Sequence, residues 1–194
     1  MKTYKTNSNG GWIVPSHSEI PAGTVIPDYS EIGCGCKLGN YCNLGYGCKL
    51  DIGCRLGYGA NLGSDCTLGT SCTLGSDCTL GTDCTLGDGC TLGPRCTLAD
   101  GCHLGDGCHL GGRCHLGDVC IWEGVAVLRF LTLANVDGTG RQILIIQHPN
   151  GVLVRAGCFR GTPEDFAARA KEEGKDLYAS VIPAVVAAML ATPT

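Results

Sequence analysis

The stretch from Leu62 to Ala99 has the sequence LGSDCT LGTSCT LGSDCT LGTDCT LGDGCT LGPRCT LA, in which one hexapeptide, Leu-Gly-x-x-Cys-Thr, is repeated six times. A helix cannot keep this repeat on one face, because its period of about 3.6 residues moves each leucine around the helix within two copies. Short strands separated by a corner every six residues can repeat in this way. The stretch therefore predicts stacked, turning strands.

The repeat extends beyond this stretch in both directions and makes eighteen unbroken hexapeptides between residues 14 and 121. Its apolar position is held by valine or isoleucine at first, then by leucine from Leu38 to Leu116, and last by Trp122. The leucine and cysteine positions point to one side of a strand, and the threonine between them points to the other. We expect the glycine after leucine to permit the turn at each corner. Three strands close a triangular coil, so the sequence predicts six coils around a core of leucine and cysteine.

Fourteen of the sixteen cysteines occupy one position of the repeat, and Ala60 occupies that position once. A position shared with alanine, and with Ser18, Thr24 and Ser30 in the first coil, favours a small buried side chain. Stacked strands also hold successive cysteines about 4.8 Å apart, whereas a disulfide brings its Cβ atoms to about 3.8 Å. We therefore expect reduced, packed thiols. No Cys-x2-Cys pair is present, which disfavours zinc.

The composition of the chain excludes several classes of partner. The net charge is -4 and the pI is about 5.7, so there is no basic footprint for a nucleic acid. No apolar run is long enough to span a bilayer, and no signal peptide opens at Met1. These features predict a cytoplasmic protein with no membrane partner.

The pattern [Leu/Ile/Val]-Gly-x-x-[Cys/Ser/Thr/Ala]-x resembles the hexapeptide-repeat superfamily over residues 14–127. The resemblance implies a left-handed parallel β-helix, whereas the general rule for parallel crossovers favours the right hand. It also implies a homotrimer around a three-fold axis. The fold hosts acyltransferases, carbonic-anhydrase-like metal sites, antifreeze proteins and structural proteins, so the resemblance does not select a function.

The sequence divides into a lead-in or cap at residues 1–13, the β-helix at 14–124 and a small α/β module at 125–194. In the module, apolar runs separated by turn signals predict a three-stranded antiparallel meander. The predicted strands are Val125–Val136, Arg141–Gln147 and Val152–Ala156, with turns at Asp137-Gly-Thr-Gly and His148-Pro-Asn-Gly.

Two helices are predicted to follow the meander. Thr162 is an N-cap with Pro163 behind it, and this first helix should end near Glu173. The second, Leu177–Leu190, is apolar on nearly all sides and should be buried or bind a partner, with a kink or restart at Pro183. The tail resembles the C-terminal module of small repeat proteins of tailed phages and prophages. We expect the module to cap the open coil end and to assist trimerisation.

The outward position after cysteine forms three columns, because residues eighteen apart align in successive coils. The last regular coil places one histidine in each column, His103, His109 or His115, and these residues are the candidates for catalysis. They lie on three faces, so they cannot share a metal within one chain. A metal site of the carbonic-anhydrase type, or an acyltransferase site using acyl-CoA, would have to form between subunits. We assign no metal ligands and no cofactor.

One edge of the predicted prism is cationic. Arg95 and Arg113 stack eighteen residues apart beside Thr97 and His115, which suits a small anionic ligand. Alternatively, Asp77, one coil below Arg95, pairs with it. Two pairs of acids also stack at corners and are interpreted as solvated side chains or a calcium site; they are Asp88 with Asp106 and Asp100 with Asp118.

The function classes differ in what they require. Acyltransferases of the superfamily usually extrude a loop that walls the acyl-donor cleft, and residues 14–121 contain no inserted loop. An antifreeze face needs paired threonines, but each strand offers one. A DNA mimic needs a denser acidic face. We therefore predict a non-enzymatic phage-type trimer in the host cytoplasm, which binds or scaffolds a small anionic ligand or a host protein, with the acyltransferase and the metal site as alternatives.

Overall fold

The computed structural model describes residues 4–117, 120–122, 124–134 and 142–191. The chain forms two compact units, Met1–Ala126 and Val127–Thr194. The first unit is a β-solenoid of about six coils, and the second is an antiparallel sheet with two helices. This architecture confirms the predicted solenoid followed by a small α/β module.

The strands of the solenoid are short, and most contain two residues. In chain order they are β1 Lys5–Thr6, β2 Trp12–Val14, β3 Glu19–Ile20, β4 Val25–Ile26, β5 Glu31–Ile32, β6 Lys37–Leu38, β7 Asn43–Leu44, β8 Lys49–Leu50, β9 Arg55–Leu56, β10 Asn61–Leu62, β11 Thr67–Leu68, β12 Thr73–Leu74, β13 Thr79–Leu80, β14 Thr85–Leu86, β15 Thr91–Leu92, β16 Thr97–Leu98, β17 His103–Leu104, β18 His109–Leu110, β19 His115–Leu116, β20 Ile121–Trp122 and β21 Val125–Ala126.

These strands stack into three parallel faces. Face A contains every third strand from β2 to β20, with β1 and β21 antiparallel at its two ends; face B runs from β3 to β18 and face C from β4 to β19. Partners are eighteen residues apart, as Thr67 is from Thr85. The chain passes from face to face at three corners, which we call AB, BC and CA. The BC corner, for example, contains residues 75–77, 93–95 and 111–113.

The core consists of the leucine and cysteine positions, as predicted, and the fourteen repeat cysteines are free and buried. Each of these thiols donates to a backbone carbonyl oxygen 21 residues earlier, as Cys66 does to Gly45 at 3.3 Å. The Sγ–O distances along the ladder lie between 3.2 and 3.4 Å. Cysteine therefore fills the core and also satisfies the carbonyl at the corner of the coil beneath.

The glycine after leucine has a different role from the predicted one. A Cβ atom on Gly81 would lie 2.5 Å from the backbone nitrogen of Ser64 in the coil beneath, so a side chain at Gly81 requires the two coils to shift. The left-handed backbone instead falls two residues later, where φ is 57° at Asp83 and 61° at Arg95. Close stacking of coils, rather than the turn, therefore favours glycine at this position, which Asp51 and Ala99 occupy in two other coils.

Proline takes the glycine position in the first coil, at Pro15, Pro21 and Pro27. In later coils the amide at this position donates to the coil beneath, as Gly33 N does to Val14 O at 2.9 Å. The first coil has no coil beneath it, and proline has no amide hydrogen to leave unpaired. The substitution also discourages pairing at this end of the solenoid.

The second unit has four antiparallel strands rather than the three predicted. They are β22 Arg129–Ala134, β23 Gln142–His148, β24 Gly151–Ala156 and β25 Phe159–Gly161, in that spatial order. The three-residue β25 is too short to give an alternating pattern. The start of the first predicted strand instead forms β21 of the solenoid. The predicted turn at residues 137–140 lies outside the described residues.

Two helices, α1 Pro163–Glu172 and α2 Asp176–Ala191, complete this unit. Thr162 caps α1 by accepting from the Asp165 amide at 3.1 Å, as predicted. Helix α2 continues through Pro183, so of the predicted kink or restart the restart is wrong. It buries Tyr178, Ile182 and Val186 in the core formed with the sheet and α1, and Val185 and Met189 pack partly buried against that core. Leu177 and Leu190 remain exposed. Over the described residues, no helix combines the length and apolar character needed to cross a membrane.

Candidate functional site

The three candidate histidines occupy the predicted outward column positions. His103 pairs with Thr85 on face A, His109 with Thr91 on face B and His115 with Thr97 on face C. All three side chains are exposed. Since they lie on different faces, one chain does not bring them together. Within the described ranges, no cluster of three or more histidine, cysteine, aspartate or glutamate side chains could hold a metal ion.

Arg95 lies at the BC corner and forms a bidentate ion pair with Asp77 in the coil beneath. The Nε–Oδ1 distance is 2.8 Å and the Nη2–Oδ2 distance is 2.6 Å. This is the alternative that the sequence left open. The pair holds the pKa of Asp77 below its usual range, chiefly through the hydrogen bond from Arg95, and raises the pKa of Arg95 for the same reason. Asp77 thus neutralises much of the charge that Arg95 would offer a ligand.

Arg113 lies one coil above Arg95 on the same corner, and its side chain is exposed. Its φ of 63° places it in the same left-handed position as Arg95. In the described part of the chain no carboxylate forms an ion pair with Arg113. Thr97 and His115 follow the two arginines at the start of face C, where they are direct strand partners. The four predicted ligand-binding residues therefore lie along one edge of the solenoid, and Arg113 is the cation among them that could bind an anion.

Two tyrosine pairs continue the corner columns, and the sequence interpretation missed both. At the BC corner, the rings of Tyr41 and Tyr58 meet edge to face at 5.3 Å. At the CA corner, Tyr29 and Tyr46 do so at 5.5 Å. The members of each pair are seventeen residues apart, which is one residue less than the coil period. This spacing is the sequence signal that could have predicted the two contacts. Edge-to-face rings add specific contact energy to apolar burial.

The structure describes one of the two predicted pairs of stacked acids completely and the other only in part. Asp88 Oδ1 accepts a hydrogen bond from the Asp106 backbone nitrogen at 2.9 Å, so this carboxylate binds the next coil without a cation. Of the second stack, Asp100 is exposed, and Asp118 lies outside the described residues. The carboxylate at the AB corner thus has a structural role in holding two coils together.

A groove of 750 Å³ lies at the N-terminal end of the solenoid, in the coils opposite to those that bear the histidines. Its wall includes the rings of Tyr4 and Trp12, which are 5.2 Å apart, and the apolar Ile20 and Leu38. None of the predicted site residues lines it. The groove and the cationic edge are therefore separate features of the same unit.

A family model described as bacterial transferase hexapeptide (six repeats) matches residues 83–118. No curated protein matches the chain, and no solved structure matches it. The matched residues contain the last regular coils, including all three candidate histidines. Together with a solenoid of about six coils built on an eighteen-residue period, this match shows that the chain belongs to the hexapeptide-repeat β-helix superfamily.

Proposed function

We propose that the chain is a non-enzymatic binding protein that holds a small anionic ligand at the edge between the BC corner and face C. The observation that carries the proposal is the exposed Arg113, which stands above the neutralised Arg95 and beside His115. A guanidinium with no carboxylate partner in the described chain can bind a carboxylate or phosphate through two parallel hydrogen bonds. Thr97 would add a hydroxyl to the same site.

The proposal includes assembly as a homotrimer, with the ligand or a host protein held at surfaces between subunits. A flat face with one exposed side chain per strand offers little enclosure, so a neighbouring subunit would supply the other wall. The phage-like tail sequence supports a role in an infected cell. Fourteen buried free thiols suit the reducing cytoplasm of a host.

Titration calorimetry with inorganic pyrophosphate would test the binding site directly. We expect the wild-type protein to bind the probe and Arg113→Gln to weaken binding at least fivefold. Lys49→Gln is the matched control, since it removes another exposed cation, from face A. Absence of pyrophosphate binding by the wild type, together with no small anion retained in native mass spectra of protein purified from infected cells, would reject the proposal.

The acyltransferase alternative is favoured by one specific observation, which is the match of a transferase family model to the residues that contain His103, His109 and His115. If it holds, the purified protein will transfer an acetyl group from acetyl-CoA, and one His→Ala variant will lose the activity while the other two keep it. No transfer by the wild type, or equal transfer by all three variants, would remove this alternative. A metal site between subunits would instead appear as bound metal in elemental analysis.

A further inference from the structure

The N-terminal end of the solenoid is extended on one face only. Strand β1 pairs with β2 and lengthens face A, whereas β3 and β4 are the terminal strands of faces B and C. The BC corner between these two strands consists of Pro21, Ala22 and Gly23, all exposed. The left-handed position holds His17 at the AB corner and Tyr29 at the CA corner, but glycine here. A Cβ atom on Gly23 would have open space around it, so this corner leaves room beside the end of the core.

The 750 Å³ groove occupies this end of the solenoid. Its wall combines the first BC corner with the ends of face B and with Tyr4 and Trp12 of the β1–β2 hairpin. Pockets of about 300 to 1,000 Å³ are the usual size of small-molecule sites. A protein partner would instead contact about 20 to 30 residues on each side, which is more than this one corner and two short strands provide. The dimensions of the groove therefore suit a small molecule.

The wall of the groove is mainly aromatic and aliphatic. The rings of Tyr4 and Trp12 lie 5.2 Å apart and are tilted by 39°. Trp12 precedes Ser18 by six residues, so it occupies the repeat position that cysteine fills in later coils, and it is only half-buried. The apolar Ile20 and Leu38 line the same groove. Aromatic side chains stack on flat ring systems, so this wall favours a ligand with a planar apolar body.

The charges in the described wall of the groove cancel. Glu19 and Lys37 are its two charged side chains. They are strand partners on face B and form an ion pair, with Lys37 Nζ 3.5 Å from Glu19 Oε1. An anion or a cation in the groove would therefore find its opposite charge already paired. The wall favours a ligand without net charge.

Two hydroxyl groups belong to residues of this wall, and one of them lacks a partner. Thr24 Oγ1 donates a hydrogen bond to Pro21 O at 2.6 Å. The hydroxyl of Tyr4 is buried and forms no hydrogen bond within the described chain. Buried hydroxyls in folded proteins are normally paired, because an unpaired one loses its hydrogen bonds to water without replacement. A ligand that carries a hydrogen-bond acceptor would supply the missing partner of Tyr4.

We infer that this groove binds an uncharged, planar ring molecule that carries a hydrogen-bond acceptor. The ring lies against Tyr4 and Trp12, and the acceptor takes the hydrogen bond that Tyr4 has to donate. The groove shares no residue with the edge that contains Arg113. It is therefore a second site, and its ligand differs from the small anion of the proposed function in both charge and shape.

Coumarin, an uncharged bicyclic lactone, is a suitable probe, and NMR can follow the two indole N–H signals of the chain. Coumarin at millimolar concentration should shift the signal of Trp12 and leave that of Trp122, which is 1% exposed and lies in β20. Ala22→Phe should weaken binding about tenfold or more, because its ring fills the groove. Thr70→Phe is the matched control, since it adds the same ring at an exposed position of the same repeat slot on the AB corner. An unchanged Trp122 signal would verify that each variant is folded.

Two further measurements test the class of ligand. Tyr4→Phe should weaken coumarin binding about threefold or more, because it removes the hydroxyl but keeps the ring. Coumarin-3-carboxylate, which adds a charge to the same ring system, should bind about fivefold more weakly than coumarin.

Four results would overturn the inference. They are an unshifted Trp12 signal, equal binding by Ala22→Phe and the wild type, coumarin-3-carboxylate binding as tightly as coumarin, and unchanged affinity in Tyr4→Phe. A Trp12 signal that changes on dilution without coumarin would place a second copy of the chain in the groove and would also overturn it. Pyrophosphate should leave the Trp12 signal unshifted, so the groove and the Arg113 site succeed or fail independently.

Discussion

Arg95 and Asp77 lie one coil apart on the BC corner and form a bidentate ion pair, with Nη2–Oδ2 at 2.6 Å and Nε–Oδ1 at 2.8 Å. The arginine side chain is 52% exposed and the aspartate side chain 29% exposed, so solvent screens their attraction. The main consequence is electrostatic. Of the two arginines on this corner, the pair neutralises the lower one and leaves Arg113 to act on a ligand.

Removal of the Asp77 charge should strengthen anion binding. We expect Asp77→Asn to raise the affinity for pyrophosphate two- to tenfold in calorimetry, because Arg95 becomes available beside Arg113. The free energy of unfolding should change by less than about 1 kcal/mol, as is usual for exposed pairs. Asp88→Asn is the control, since it makes the same charge change at the AB corner. An equal gain in both variants would show that net charge, rather than Arg95, governs binding.

Acidification should release Arg95 only at low pH. Arg95 holds the pKa of Asp77 below its usual value of 3.8, so the favourable charge pairing is present above that value and is lost as the pH falls through the lowered pKa. In an NMR titration, the Asp77 carboxyl carbon should therefore titrate below the carboxyl of Asp77 in an Arg95→Ala variant. Coincident titrations in the two proteins would contradict the ion pair.

Gly81 should tolerate no side chain unless the stacked coils shift. We expect Gly81→Ala to destabilise the protein by several kcal/mol in urea unfolding, because its Cβ would lie 2.5 Å from Ser64 N. Gly53→Ala is the control, since Gly53 has a φ of 69° and open space around its Cβ position. Its cost should be only the left-handed penalty, about 1 to 2 kcal/mol. Equal costs would favour the turn as the reason for the glycine.

This contrast shows what the hexapeptide pattern can and cannot predict. Periodicity alone located the strands, the buried Leu and Cys positions and the end of the repeat, because each coil repeats the same environment. It could not distinguish a glycine required for a turn conformation from one required for close packing of two coils, since either requirement places glycine at position 81. The distinction requires the distance between coils.

The candidate site was predictable only in part. The eighteen-residue period correctly aligned Arg95 with both Asp77 and Arg113. The repeat period gives no information on side-chain geometry, so it could not decide whether Arg95 pairs with Asp77 or is free to bind a ligand. The tyrosine pairs were missed because Tyr41 and Tyr58 occupy different repeat positions, which meet only through the corner. In the second unit, β25 lies in a segment too short for its burial pattern to be recognised.

Only two thiols of the native protein should react readily. Cys158 is exposed and Cys34 is half-buried, whereas the other fourteen of the sixteen cysteines are buried. Titration with Ellman's reagent should therefore modify two thiols in the native protein and all sixteen after denaturation without reductant. A lower total after denaturation would show disulfides and contradict the reduced core. A Cys158→Ser variant should lose one of the two rapidly reacting thiols.

The single gap in the cysteine ladder should accept a thiol. Ala60 lies between Cys42 and Cys78 on face C and is 1% exposed, in the position that holds sulfur in the coils above and below. We expect Ala60→Cys to be neutral or to stabilise the protein by up to about 1 kcal/mol. The converse change, Cys84→Ala, should cost about 1 to 2 kcal/mol through lost packing and its bond to Gly63 O. Destabilisation by Ala60→Cys as well as by Cys84→Ala would show that the core has no room for a sulfur atom at position 60.

Alkaline conditions should weaken the solenoid through its buried thiols. Burial raises the pKa of the Cys120 thiol from 9.0 to about 11. The folded state therefore holds this proton more tightly than the unfolded state, so the stabilisation is complete below pH 9 and is lost as the pH rises towards 11. A difference of about two pKa units corresponds to about 3 kcal/mol for this thiol. Urea unfolding at pH 9 and pH 11 should show a smaller loss for Cys120→Ala than for the wild type. Cys158→Ala, which removes an exposed thiol, should follow the wild type, and identical losses in all three proteins would exclude Cys120 as a source of the alkaline sensitivity.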